Sequence, residues 1–199
     1  MISNTTNLIL ASNSQIRRKI LKNAGVKFRV RPANVNETQI KRNSGNIPVK
    51  TLARKLAIAK AQDVSKKFRK QMVIGADQIL ECDGALFNKP QEHKAARRTL
   101  LKLQGKTHRL ITSVCIVEDD KIIWSQTDLA RLTMLNLSKK AVDDYLNKAG
   151  SSVYSCVGAY RFEDVGIQLF EKIQGDYFTI LGLPLLPLLE FLRTSSATK

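Results

Sequence analysis

The chain has 199 residues, 43% of them apolar, and its 33 Lys+Arg against 17 Asp+Glu give a formal net charge of +16. This length and apolar content allow one domain, or two small lobes, around a sizeable core, and exclude wholesale disorder. With 10 Gly, 5 Pro and 3 Cys, it is neither a collagen-like chain nor a disulfide scaffold, and its longest apolar stretch, Leu181–Leu192, is too short for a membrane span and holds Pro184, Pro187 and Glu190.

The opening MISNTTNLILASNSQ has no basic segment before its brief apolar run, so it does not read as a signal peptide. With Cys82, Cys115 and Cys156 odd in number and widely spaced, the expected location is cytoplasmic, with no membrane partner. The basic residues are dispersed, in RRK at 17–19, KKFRK at 66–70, RR at 97–98 and KK at 139–140. No Arg-rich arm or aromatic-interleaved motif accompanies them, so they read as a solvated basic surface and nucleic acid is not expected as a partner.

In chain order, Asn7–Ala11 is a short apolar run, predicted to be a buried strand. Ser14 caps a predicted helix from Gln15 to about Ala24, with Ile16, Ile20, Leu21 and Ala24 on one face and Gly25 as its stop. Phe28–Arg31 alternates like a strand, and 34–47 reads as loop. Val49–Phe68 is a long amphipathic helix with Leu52, Leu56, Ala59 and Val64 near one side. Met72–Ala76 is a second buried strand that delivers Asp77 at its end. Ile79–Cys82, the Asp83-Gly84 turn and Ala85–Phe87 form a predicted hairpin. A helix follows over Gln91–Leu103, then a long antiparallel pair over His108–Val117 and Ile122–Leu135. Ser138 caps a helix to about Ala149, closed by Gly150. Gly166–Ile173 and Tyr177–Ile180 read as strands, Pro184–Arg193 as a last helix and Thr194–Lys199 as a frayed tail. This order implies an α/β fold, a mixed twisted sheet with flanking helices. No composition break marks a linker, so any two lobes must share interleaved segments around a cleft.

His93 and His108 are the only histidines and have no metal-ligand spacing, so a zinc site or a histidine-based triad is not expected. The GKT at 105–107 is not a phosphate-binding loop, because Leu100 stands where its first Gly would be. Two places are more informative. After the first strand, Ser12, Asn13 and Ser14 lead into a helix with Arg17 and Arg18 in its first turn. Cations oppose the macrodipole there, which fits a bound phosphate; an ordinary capped helix with exposed arginines fits as well. The second place is Asp77, at the carboxyl end of a buried strand, where open α/β sheets bind ligands. With Lys60, Lys89 and the arginines, one acid among several bases suits phosphoanhydride hydrolysis, and Glu37 could be a second carboxylate for Mg²⁺.

Read together, these segments resemble the Maf family of nucleoside triphosphate pyrophosphatases. The pieces are LILASNSQIRR at 8–18, NVNET at 34–38, LARKLAIAKA at 52–61, IGADQ at 74–78 and KP at 89–90, then LQGKTHRLIT at 103–112, VGAY at 157–160 and GDYFTILGLPLLPLLEFL at 175–192. The resemblance implies one domain over 1–194, with a flexible tail at 195–199. Its implied fold is related to the inosine-triphosphate pyrophosphatases, two lobes around a nucleotide cleft. The implied reaction is NTP + H₂O → NMP + diphosphate, with a divalent cation, Mg²⁺ or Mn²⁺, as cofactor and a homodimer as the assembly. By motif, Asp77 is the catalytic proton acceptor and, with Glu37, a metal partner; Ser12, Arg17, Lys60 and Lys89 match phosphate-side positions.

Three substrate-binding positions depart from the commonest family pattern. Ile16 stands in place of an Arg, Gln78 in place of Thr after the acid, and Glu163, in CVGAYRFE, in place of Gln. Gln78, Cys156 and Glu163 together resemble the branch acting on 7-methyl-GTP, which would make the enzyme one that clears modified nucleotides; Ile16 fits neither branch. A carboxylate at 163 can accept from the N1–H and 2-amino donors of guanine. The competing reading is a non-catalytic nucleotide- or nucleic-acid-binding regulator of septum formation.

Overall fold

The computed structural model of the chain describes residues 7–197. In chain order it forms β1 (Leu8–Leu10), α1 (Gln15–Asn23), β2 (Arg29–Val30), α2 (Glu37–Asn43), α3 (Val49–Ser65), β3 (Met72–Cys82), β4 (Ala85–Phe87), α4 (His93–Leu103), β5 (Thr107–Glu118), β6 (Lys121–Met134), α5 (Lys139–Ala149), β7 (Phe170–Gln174), α6 (Tyr177–Ile180) and α7 (Leu185–Ala197). Short 3-10 turns lie at Gly150–Ser155 and Val165–Leu169. The strands make a seven-stranded sheet in the order β2-β1-β3-β5-β6-β7, with β4 paired to β3. β1 runs parallel to β2 and β3, while β4 is antiparallel to β3 and β7 to β6. The fold is thus mixed α/β, as the order of periodic segments predicts. No described helix is long and apolar enough to cross a membrane.

The described residues divide into two compact units. The first takes those of Met1–Asp77 and Gly182–Lys199 together with Thr112–Asp128; the second takes Gln78–Ile111 and Leu129–Leu181.

In the first unit, β1 is buried at every position, which an unalternating apolar run requires when a strand has neighbours on both sides. The core packs Ile9, Ala11, Val73, Cys115 and Val117 against Ala57, Ala61 and Val64 of α3. α3 comes unusually close to β3. A Cβ built on Gly75 would lie 2.2 Å from the Ala57 carbonyl oxygen and 2.8 Å from Ala61 Cβ, so only glycine fits. The buried stripe of α3 therefore runs through Leu52, Leu56, Ala57, Ala61 and Val64, with Ala59 at its margin rather than within it.

In the second unit, α4 and α5 are tied by Arg97, which donates to both Asp143 oxygens at 2.5 and 3.0 Å. Aromatic rings also pack together within it. His108 is fully buried, its Nε2 lies 2.7 Å from the Tyr160 hydroxyl and Phe170 packs against both rings. Burial pulls the His108 imidazole down to about 4, so it is neutral near neutral pH. The GKT segment is a helix stop and turn: Gly105 has φ +69° and its N–H donates to the Leu135 carbonyl at 2.9 Å.

Several elements differ from expectation. The 34–47 loop contains α2, started by Asn36 Oδ1 accepting from Gln39 N at 3.0 Å; no residue of α2 is buried, so no apolar stripe announces it. The two strands expected over 72–82 are one unbroken strand that passes through Asp77. Tyr177–Ile180 is helical, because Asp176 caps it by accepting from Thr179 N at 2.7 Å. Gly166–Ile173 is a 3-10 turn followed by β7, with Asp164 Oδ1 accepting from Val165 N at 2.8 Å. α3 stops at Ser65, short of Phe68, whereas α7 continues to Ala197 through residues read as a tail. Residues 1–6, the start of the opening segment expected not to be a signal peptide, and 198–199, the end of the expected tail, lie outside the described residues.

The α3–β3 contact yields a direct expectation. Gly75→Ala overpacks it, at a cost of about 1–3 kcal/mol. Thermal unfolding followed by circular dichroism is expected to show a Tm lower by about 2–12 °C. An unchanged Tm would mean the helix yields without cost.

Candidate active site

The loop after β1 and the first turn of α1 form one side of the site. Ser14 caps α1, its Oγ accepting from Arg17 N at 3.4 Å, and no acidic residue occupies the first turn. The buried Ser12 Oγ accepts from Ser14 N and from an Arg17 terminal nitrogen, each at 3.2 Å. That Arg17 nitrogen also donates to the Ala76 carbonyl at 3.0 Å, and Arg17 Nε donates to the Gly182 carbonyl at 2.7 Å. Arg17 is therefore oriented by oxygens of the β1 loop, the middle of β3 and the segment before α7. Burial pushes its guanidinium down from its ordinary value, against the pull of Asp77 and Glu37, and it remains a cation. Arg18 does not join it: it donates to Asn13 Oδ1 at 3.1 Å, and its buried Nε has no protein partner. Ile16 is half-buried and apolar, while Ile20 and Leu21 alone form the buried face of α1.

Asp77 lies two residues beyond Gly75, on the same face of β3. Because α3 presses onto Gly75, Lys60, between Ala57 and Ala61 on that helix, reaches Asp77. Lys60 Nζ is 2.6 Å from Asp77 Oδ1 and 2.7 Å from Glu37 Oε1. Glu37 is the first residue of α2, the helix that the loop reading omitted. Asp77 is only 8% exposed at its side chain, Lys60 14% and Glu37 44%. Burial pushes the Asp77 carboxyl up, while Lys60 and then Arg17 pull it back down. Ser12, Arg17, Glu37, Lys60 and Asp77 thus meet within the first unit.

Gln78, Lys89 and Glu163 belong to the second unit. Gln78 Nε2 donates to the Thr179 and Ile180 carbonyls, each at 3.0 Å, so its amide donors anchor α6 and its polar atom of acceptor type is the carbonyl oxygen. Lys89 is exposed and lines an open depression of about 740 Å³ with Phe87, Arg98 and Lys102. Glu163 Oε1 accepts from Arg161 Nε at 3.2 Å, and its side chain is 14% exposed.

Sequence reasoning missed the two backbone acceptors of Arg17. Gly182, at φ +92°, was the available signal, since only a residue tolerant of that conformation lets the chain present its carbonyl there. The donor set also bears on a metal. Among the described residues no group of three or more His, Cys, Asp or Glu forms a cage. Asp77 and Glu37 nevertheless converge on one cation position, and two carboxylates completed by substrate phosphates and waters suit Mg²⁺.

Compared with known proteins, residues 7–195 match the family described as Maf-like protein. The chain is 46% identical over 187 residues to the nucleoside triphosphate pyrophosphatase of Nitrobacter winogradskyi, covering 94% of this chain and 93% of that one. It is 46% identical over 192 residues to the 7-methyl-GTP pyrophosphatase of Brucella abortus, covering 95% and 96%. Among solved structures, a nucleoside-triphosphatase (dITP/XTP pyrophosphatase) of Mycobacterium abscessus aligns with 65% of this chain and 74% of that one, at 12% identity and a TM-score of 0.41.

Opposing influences on Asp77 can be separated by titration. Its carboxyl is expected to titrate above the ordinary carboxylate range, because burial outweighs the two cations. Lys60→Gln removes a stabilising positive charge and is expected to move it further up. Carboxyl ¹³C NMR across pH 3–8 reads both; a downward move in Lys60→Gln would contradict this electrostatic account.

Proposed function

This chain belongs to the Maf family, and from that membership and the Asp77–Lys60–Arg17 cluster we propose that it is a nucleoside triphosphate pyrophosphatase with the following division of labour. Water attacks the α-phosphorus, the bond to the oxygen bridging α and β breaks, and NMP and diphosphate leave. Asp77 accepts the proton of the attacking water, a role suited to a carboxylate that burial makes more basic while Lys60 stays paired with it. Ser12, Arg17, Lys60 and Lys89 neutralise and orient the phosphates. Asp77 and Glu37 would hold a divalent cation, Mg²⁺ or Mn²⁺, which when bound lowers the charge density of the phosphates. The observation that carries this reading is a carboxylate nearly removed from water yet paired with an ammonium at 2.6 Å. A buried acid in that setting has a functional rationale that a surface ion pair lacks. The same reading makes the protein cytoplasmic and homodimeric.

Product analysis tests the reaction. The wild type with Mg²⁺ is expected to give NMP and diphosphate rather than NDP and phosphate. Asp77→Asn is expected to fold and bind nucleotide while turnover falls about 10²–10⁴-fold. Wild-type turnover in Asp77→Asn would remove the acid from the mechanism.

For the base, the reading extends to a guanine-type nucleotide, 7-methyl-GTP foremost. Glu163 is an acceptor held in place by Arg161, and its charge also suits the positive ring of an N7-methylated purine. Gln78 contributes through its carbonyl oxygen, and Ile16 offers apolar contact. The kcat/KM for 7-methyl-GTP is expected to exceed that for UTP and dTTP, and Glu163→Gln to shrink that ratio about tenfold, the scale of an impaired hydrogen bond to a charged group. Equal kcat/KM for all these nucleotides in the wild type would show that Glu163 serves Arg161 alone.

A further inference from the structure

Lys60 stands between two acids from different elements. Its Nζ is 2.6 Å from Asp77 on β3 and 2.7 Å from Glu37 on α2, so an ammonium occupies the position from which a divalent ion would touch both. Arg17 acts on both carboxylates as well. Two negative charges therefore face two positive ones, and no surplus negative charge is left to draw Mg²⁺ or Mn²⁺ out of water. Mg²⁺ gives up its waters reluctantly, so a neutral cluster is a poor ligand for it. A triphosphate supplies the missing negative charge. The two pairings of Lys60 also differ in strength. Asp77 is buried, and parting it from Lys60 would strand a charge away from water; Glu37 is 44% exposed, and water can solvate it when Lys60 leaves.

We propose that Lys60 is the resident counter-cation of the Asp77–Glu37 pair, so that the protein binds divalent metal only together with a triphosphate, whose phosphates draw Lys60 off Glu37 while it stays on Asp77. This rests on the pyrophosphatase reading for its ligand, but its central claim concerns the protein and the metal alone. Lys60 thus excludes an idle metal from the site until a nucleotide binds, in addition to its charge toward phosphate.

Mn²⁺ binding to the full-length chain, followed by loss of the free-ion EPR signal, tests this without turnover. The wild type is expected to bind Mn²⁺ alone at least tenfold more weakly than with α,β-methylene-GTP, after correction for binding to the analogue itself. Lys60→Met and Lys60→Gln are expected to bind Mn²⁺ alone at least tenfold more tightly than the wild type, and adding Glu37→Gln is expected to abolish the gain. Wild-type binding of Mn²⁺ that is equally tight with and without the analogue would overturn the proposal. So would folded Lys60 variants with no gain. Should neither variant fold by circular dichroism, the wild-type comparison still decides. If the wild type neither hydrolyses a nucleotide nor binds the analogue, the pyrophosphatase reading fails instead, and the variants with Mn²⁺ alone continue to test the role of Lys60.

Discussion

Placing a carboxylate where water barely reaches it is unfavourable unless a cation accompanies it, and the pairing of Asp77 with Lys60 meets that condition. Everything around the pair serves the approach. Lys60 can be there only if α3 lies almost on the backbone of β3, and α3 can lie there only because Gly75 has no side chain and the helix presents Ala57 and Ala61 to it. Small residues in α3 therefore set a distance. The same packing leaves Lys60 enough reach to touch Glu37, which joins a surface helix to a buried strand through a single ammonium.

Arg17 extends the arrangement by a different means. A desolvated guanidinium needs acceptors in its plane, and here they are mostly main-chain carbonyls rather than acids. Carbonyls fix its direction without cancelling its charge, so the cation stays available to a phosphate. The first turn of α1 carries no acid that would compete. The structure thus keeps its positive groups oriented and only partly neutralised, while its negative groups are held close to cations.

The parts of this site differ in how far the sequence reveals them. NLILA and MVIGA are apolar runs bounded by polar residues, and such runs read as buried strands whatever surrounds them. Asp77 at the end of MVIGA was therefore visible as a carboxylate in an unusual place, although the strand continues past it. α2 was invisible because no residue of it is buried, and a helix without an apolar stripe has no period to detect. YFTI misled through its β-prone side chains; the cap from Asp176 outweighed them. The alanine spacing in LARKLAIAKA suited a helix of any surroundings, and only the position of Gly75 shows which two alanines matter. The carbonyl of Ala76 belongs to the backbone and no residue type marks it as a ligand of an arginine; at 182 only the glycine itself hints at the conformation that presents its carbonyl.

The bond from Arg17 to Gly182 joins residues 165 positions apart. A ribosome emits the strand, the acid, the lysine and the arginine long before it emits that carbonyl. A growing chain thus carries every charged side chain of the first unit's cluster while Arg17 still lacks one of its guides. Completion of the site is then tied to synthesis as far as Gly182, and a messenger RNA truncated ahead of the Gly182 codon would yield a protein with the right charges and an unsteady arginine.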